Sequence, residues 1–412
     1  MFDELCRSRI KTLLDAATIA IDGHHPWDIH VHDSRMFRTT VLHGSIGFGE
    51  AYMAGWWDCE DIDELFFRLL SYRVNQRLLT LAGIRNSILS IVRNLQKPQR
   101  AFMVGKYHYD VGNDLFRAIL DPQMIYSCAF WQNTVNLDRA QQLKLHLVFD
   151  KLDLKPGMTL LDIGCGWGGT ARFAAEQYGA SVVGITISKE QAQIAKTLCK
   201  HCDVDIRLMD YRSVVGVFDR IVSIGMIEHV GHKNYRTFFD VASRCLKPDG
   251  RLLLQSIGSN IPSTCTDPWV EKYIFPNSML PAASQLARSW EGRFILEDWH
   301  SFGHDYACTL KAWDQKLTGN RAGLEAHYDE TFFRMWRYYL LSCSGAFRAR
   351  AIQLWQILLS PGGIKGKCRI PHEPFRRKTF RRAYNRWQWQ RKVQAIHSQP
   401  RQSRRSGTAS QS

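Results

Sequence analysis

The chain has 412 residues, 45% of them hydrophobic and 12% aromatic, enough for one large domain and a smaller one. No run approaches the roughly 18 to 20 apolar residues a helical membrane span needs. The net charge of +15 is concentrated: from Pro361 onward fourteen Lys and Arg stand against one Glu, so the body is near neutral and the pI of 9.4 is poor support for a nucleic-acid enzyme.

In chain order, MFDELCRSRIKTLLDAATIA is an acid-containing amphipathic pattern rather than a signal peptide. WDIHVHDSRMFRTTVLHGS alternates as strands do, and DIDELFFRLLSYRVNQRLLTLAGI has helical spacing. NLQKPQR, 94–100, reads as a linker, so residues 1–100 form a small mixed N-terminal domain. From 136 to 300 strands and helices alternate. MTLLDIG, ASVVGITI, VDIRLMD, FDRIVSIG and GRLLLQSI are strands. GTARFAAEQYG is a helix, and so is SKEQAQIAKTLCKH, with Ser188 and Gln191 forming a capping box. NYRTFFDVASRCLKPDG is a helix closed by a Pro-Asp-Gly turn. The pattern predicts an α/β fold, a doubly wound, mostly parallel sheet with ligands at the C-terminal strand ends. GSNIPSTCTDPWVEKYIFPNSMLP is too long for a simple connection and reads as an insertion that covers a substrate.

LLDIGCGWGGT places Gly164, Gly166, Gly168 and Gly169 after a strand, where backbone can approach a nucleotide. Gly164, Gly166 and Gly169 fit a dinucleotide fingerprint, but that match alone is weak. Asp162 puts a charge at the strand end where a dinucleotide site stays apolar, and the next strand ends in Gly184-Ile185-Thr186 without a carboxylate for a ribose. The third strand ends in Asp210, Tyr211 and Arg212, which suits one adenosine: the carboxylate accepts from the adenine amine and the ring packs on its face. With a cationic far end near Asp162, the ligand that fits is S-adenosylmethionine.

YHYDVGNDLF, YSCAFW, LLDIGCGWGG, VVGITISKEQ, MIEHVGHKNY, DPWVEKYIFPN, EDWHSFGHDY, CSGAFRARAIQLWQ and the N-terminal GSIGFGEAYMAGWWDCEDIDELFF together resemble cyclopropane-fatty-acyl-phospholipid synthases, over about residues 25–365. The resemblance implies a Rossmann-like methyltransferase domain over 101–360, a lipid-engaging N-terminal α+β domain with linker over 1–100, and a basic tail over 361–412. It implies methylene transfer from S-adenosylmethionine to the cis double bond of an unsaturated phospholipid acyl chain, through a carbocation, with bound bicarbonate as base. It further implies a homodimer in the cytoplasm, peripherally associated with the inner membrane face. Carried over, the cofactor positions are Tyr126, Ser127, Asp162, Gly164, Gly166, Gly168, Thr186, Ile187, Gln191, Asp210, Tyr211 and Arg212. The bicarbonate shell maps to Cys128, Glu228, Gln255, the backbone of Ile257 and Tyr306. Cys343 matches a cysteine discussed as catalytic in that family, and simple packing is the preferred reading of it. Gln255 is a departure, since the family usually has histidine there. Cys128, with aromatic neighbours and no nearby cation, is expected to be a neutral thiol.

Other features read as bland. Eleven scattered cysteines suit reduced thiols, and Cys199-Lys200-His201-Cys202 lacks the second pair a zinc site needs, so no metal is expected. His24, His25, His30 and His32 read as a solvated edge. In the tail, Phe380, Tyr384 and Trp387 fall opposite Trp389, Val393 and Ile396 on a continuous helix, so the tail reads as a disordered basic segment. The competing functions are a branch-forming fatty-acyl methyltransferase, a small-molecule N-methyltransferase, a degenerate lipid-binding homologue and a nucleic-acid methyltransferase.

Overall fold

The computed structural model describes residues 2–73, 112–366 and 369–374. The described residues up to Glu373 belong to one compact unit. The linker expected at 94–100 and the tail stripes lie outside the described residues, as does all of 374–412 except Pro374.

The chain opens with helix α1 (Phe2–Asp15), which buries Cys6, Ile10 and Leu14 at four-residue spacing. The expected strands of 27–45 shrink to a two-residue ladder, β1 (His30–Val31) with β2 (Trp57–Asp58). Between them run helices α2 (Arg35–His43) and α3 (Ser45–Met53), a correction of the sequence reading. Thr39, Thr40 and Val41 favour a strand locally, but α2 buries Met36, Phe37 and Thr40 together only as a helix. Helix α4 (Ile62–Ser71) is capped by Asp61, whose side chain accepts from Glu64 N.

Helices α5 (Asn113–Ile119) and α6 (Leu137–Lys151) lead into a seven-stranded sheet of β3 (Thr159–Ile163), β4 (Ser181–Thr186), β5 (Val204–Leu208), β6 (Phe218–Ile224), β7 (Leu246–Ser259), β8 (Ile295–Ser301) and β9 (Ile352–Ser360), in the order β5-β4-β3-β6-β7-β9-β8. The first five in that order are parallel; β9 runs antiparallel to both β7 and β8. The mostly parallel sheet is therefore as the alternation predicts. Leu160, Leu161 and Ile163 are wholly buried, as a central strand covered on both faces requires.

Helices α7 (Gly169–Tyr178), α8 (Lys189–Leu198) and α9 (Tyr235–Arg244) follow β3, β4 and β6. Two local readings change. Ser188 Oγ accepts from Gln191 N at 3.3 Å, but the Gln191 side chain engages Thr186 Oγ1 instead of completing a capping box. Lys247 to Gly250, read as a closing turn, belongs to β7, where the pairing shifts between Phe218↔Leu246 and Arg220↔Arg251. The insertion after β7 carries α10 (Pro268–Tyr273) and closes on itself through Ser259 N to Pro281 O at 2.9 Å. Helices α11 (Ala283–Trp290), α12 (Gly303–Gly319), α13 (Arg321–Leu324) and α14 (Glu330–Arg348) complete the described elements. Helix α14 packs on α4 and α12; Arg348 binds Asp63 and Glu64, and Gly345 lets the α4 backbone approach, since a Cβ there would sit 2.6 Å from Asp63 O.

Candidate active site

Two cavities meet at the C-terminal end of the parallel strands. The first, of about 170 Å³, is framed by the loop after β3 and the ends of β4, β5 and β6. Gly164, Gly166 and Gly168 all adopt positive φ. Gly169 starts α7 so close to the preceding loop that a Cβ would lie 2.0 Å from Gln123 O. The N–H groups of Gly164 and Cys165 both donate to Ile185 O, pinning the turn against β4. Of the twelve predicted cofactor residues, eleven line this cavity. Gly168 does not; it packs against α8, where a Cβ would meet Cys199 Sγ at 3.0 Å.

Asp162 is buried, and its Oδ2 has no hydrogen-bond partner among the described residues. Burial pushes its carboxyl up to about 7, against the pull of Lys144. A carboxylate oxygen without a donor, in a cavity wall, fits the ammonium of an amino-acid ligand. Asp210 Oδ1 caps the turn Tyr211–Ser213 by accepting from Arg212 N at 2.9 Å, and Oδ2 pairs with the Arg212 guanidinium at 3.2 Å. Both oxygens therefore start with a partner and would share it with an adenine amine. Arg212 also lies over the Tyr211 ring, 5.0 Å from its centre. This donor and acceptor set fits S-adenosylmethionine.

The second cavity, of about 410 Å³, is mostly aromatic and aliphatic. Its walls come from far apart in the chain: Phe66 and Leu70 of α4, Trp269 and Phe275 of the covering insertion, Tyr306 of α12, and Tyr338, Tyr339 and Phe347 of α14. Tyr126, Ser127, Gly225 and His229 line both cavities and form the seam between them. Tyr126 is fixed by a 3.0 Å hydroxyl contact with Tyr339. His229 is kept neutral, burial lowering its imidazole to about 4.

Near the seam lies a polar group in an otherwise apolar wall. Glu228 Oε1 accepts from Ile257 N at 2.7 Å; Oε2 is buried with no partner among the described residues, and burial raises the carboxyl to about 7. The backbone of Glu228 is held by the insertion, Met279 N donating to Glu228 O at 2.9 Å. Gln255 Nε2 is likewise buried with no partner there, and Tyr306, stacked on Phe347 at 4.6 Å, keeps its phenol protonated. Glu228, Gln255, Ile257, Tyr306 and Cys343 all line this cavity. Two neutral donors and one acceptor lining the same cavity fit a small anion that carries a proton of its own. The Ile257 N–H assigned to that anion already serves Glu228, so an anion there would share it.

Cys128 is outside the cavity lining: it is wholly buried and its thiol donates to Ala129 O at 3.0 Å. Burial holds the thiol well above its usual range, so it is neutral as expected. The stated reason needs correction, because a cation is close. Lys144 of α6 is fully buried, acts electrostatically on Cys128 and Asp162, and donates to Ser127 Oγ at 3.0 Å. Gln141 Nε2 donates to Ser127 O at 2.8 Å, so α6 clamps the seam loop from behind. Cys343 is also neutral, raised to about 12 by burial. The bland motifs fall elsewhere: Cys199 packs beside Cys165 and Ala195, and the four N-terminal histidines are exposed, His25 on Asp28 and His32 on Asp58.

A family model described as mycolic acid cyclopropane synthetase matches residues 96–357. Cyclopropane-fatty-acyl-phospholipid synthase of Escherichia coli (strain K12) is 50% identical over 361 residues, covering 86% of this chain and 93% of that protein. Tuberculostearic acid methyltransferase UfaA1 of Mycobacterium tuberculosis is 32% identical over 365 residues, 82% of this chain and 84% of its own length. The solved structure of mycolic acid cyclopropane synthase CmaA1 complexed with SAH and CTAB superimposes with a TM-score of 0.59 at 34% identity, covering 63% of this chain and 97% of that one. With that span of sequence and this fold in agreement, the chain belongs to the cyclopropane synthase family of S-adenosylmethionine-dependent methyltransferases.

Proposed function

We propose that this protein is a cyclopropane-fatty-acyl-phospholipid synthase, adding a methylene across the cis double bond of an unsaturated phospholipid acyl chain. The observation that carries the reading is the seam: the cavity lined by the glycine loop, Asp162 and Asp210 shares Tyr126, Ser127, Gly225 and His229 with a larger aromatic cavity, with Glu228 beside them. S-adenosylmethionine, when bound, supplies an electrophilic methyl group. Asp162, Asp210 and the glycine loop would hold it, and the seam residues would orient it toward the acyl cavity.

An alkene is a poor nucleophile, so orientation and dryness carry much of the rate. Phe66, Leu70 and Trp269 align the chain and exclude the water that would turn the cation into an alcohol. The positive charge formed on the acyl chain lies among aromatic faces, Tyr306 and Tyr339 among them, which stabilise it. Bicarbonate, when bound, supplies the base for the proton lost as the ring closes. Glu228 Oε2 would accept its hydroxyl, and Gln255 Nε2 and Tyr306 would donate to its oxygens.

Mass spectrometry of lipids from cells expressing the chain tests this. A gain of CH2 with loss of the double bond is expected; a gain of CH4 means a methyl branch, and NMR separates the ring from a methylene branch of the same mass. A methylene branch is the second reading, and Gln255 favours it: an amide does not titrate near neutrality, so slower proton removal gives the cation time for a hydride shift, after which proton loss leaves the methylene branch. Glutamine suffices if the family histidine only holds the base, and Gln255→His with and without bicarbonate decides. Inactivity of the native chain with rescue by histidine would indicate a degenerate site.

The reading includes a lipid-engaging segment within residues 1–100 and a homodimer, which sedimentation tests. It places the enzyme in the cytoplasm at the inner membrane face. No helix among the described residues is long and apolar enough to cross a membrane. The fourteen basic residues from Pro361 would bind anionic lipid, each worth about 1 kcal/mol at best and screened by salt. Vesicle binding that survives deletion of 361–412 would defeat the tether.

A further inference from the structure

We infer that Gln356 is a positioning residue that decides which end of the Gln255 amide faces the acyl cavity. The inference rests on the proposed role of Gln255 as a donor in that cavity. Gln255 and Gln356 are direct partners in the antiparallel β7–β9 ladder, at 1% and 0% exposure. They share a sheet face with Ile257, Leu354 and Ile352, which line the cavity. Gln356 is not part of that lining. Its Nε2 donates to Gln255 Oε1 at 3.0 Å, and the Gln255 main chain is fixed by Gly225 N donating to its carbonyl at 3.0 Å.

The two ends of a glutamine amide are alike in size and opposite in hydrogen-bonding character, so only a partner selects between them. With its oxygen taken by Gln356, the Gln255 amide presents its nitrogen, the one atom of the group with no partner among the described residues. Glu228 Oε2 has none either and lines the same cavity. Reversal of the Gln255 amide would set a carbonyl oxygen toward the place of an anion and repel it. Two buried amides in the middle of a sheet, each leaving one atom unpartnered, cost stability that an aliphatic pair would not. A functional orientation accounts for that cost. A neutral amide held this way donates at every pH and, unlike an imidazole at the same position, does not change its charge near neutrality.

The experiment uses Gln356→Met, which keeps length and removes the donor, and Gln356→His, which restores one. Gln356→Met should raise the bicarbonate concentration for half-maximal activity about 10- to 100-fold. The KM for S-adenosylmethionine should stay within about twofold, and histidine should recover most of the loss. Unchanged bicarbonate response, or a loss that histidine does not recover, overturns the proposal. A double-mutant cycle with Gln255→Ala reads the same coupling without reference to any anion. Gln356→Met should add nothing once Gln255 is alanine, and additive effects overturn it. If the unaltered protein shows no bicarbonate response, the proposed base fails, and the cycle still judges Gln356.

Discussion

The two cavities on either side of the seam are built in opposite ways. The cofactor side is assembled from four consecutive strand ends and the turns that follow them, so its chemistry sits in short contiguous stretches: Asp162 to Trp167, Thr186 and Ile187, Asp210 to Arg212. The acyl side takes its walls from α4, the insertion, α12 and α14, elements spread over almost three hundred residues. The first offers carboxylates to a polar ligand, the second offers aromatic area to a featureless chain. The difference teaches that the ligand's polarity sets how local a site can be: a few directed hydrogen bonds fit in one turn, whereas enclosing an alkyl chain takes a whole layer of the fold.

The sharpest way to separate the two sides is Glu228→Gln. The amide oxygen can still accept from Ile257 N, so the wall stays intact while the charge is lost. Product formation should fall about 100-fold or more, the scale of a proton-transfer contribution. S-adenosylmethionine affinity by calorimetry should be unchanged; a matching loss of affinity would mean the two cavities are not separable. Asp210→Ala tests the other side, weakening cofactor binding by about 1 to 3 kcal/mol. The lower end is expected, because Arg212 already occupies the carboxylate. Unchanged affinity would remove Asp210 from the site.

Gly345→Ala strikes the acyl wall alone. The new methyl would press on Asp63 O and Phe66 and push α14 from α4, costing about 1 to 3 kcal/mol in a denaturant melt. Cofactor affinity should not move. The pH dependence of cofactor binding is smaller. Asp162 has a raised carboxyl, about 7 without ligand, and a cationic ligand favours its ionised form. Affinity should therefore be level above that pH and fall below it, by up to about tenfold per unit. Asp162→Asn should abolish the slope, and a slope that survives would assign it to another group. The least effect belongs to Cys343→Ser, within about threefold in turnover, because a thiol raised to about 12 is a wall and not a nucleophile. A loss of two orders of magnitude would reverse that assignment.

Legibility in the sequence followed the same division. The glycine turn, Asp162 and Asp210 were readable because strand, turn and helix are contiguous and each residue's chemistry is local. The insertion was readable from its length alone. The acyl walls were not, although Tyr338, Tyr339, Ser342, Cys343, Ala346 and Phe347 form a helical stripe at three- and four-residue spacing that marks one lined face of α14. Lys144 was missed for a different reason: in LKLHLVF a lysine passes for a solvated position, and only the packing of α6 against the seam loop shows it buried. Thr39 to Val41 misled because β-branched propensity is a weak prior that tertiary burial overrides. Gln356 lies one hundred and one positions from its partner and becomes visible only through strand register.

The bond from Met279 to the carbonyl of Glu228 ties the cover to the very residue it shelters. Glu228 is thereby pinned twice, its carboxylate by Ile257 N of the sheet and its main chain by the insertion. A shift of either element is felt at the same residue, so the strand and the insertion share one hinge point in the cavity wall.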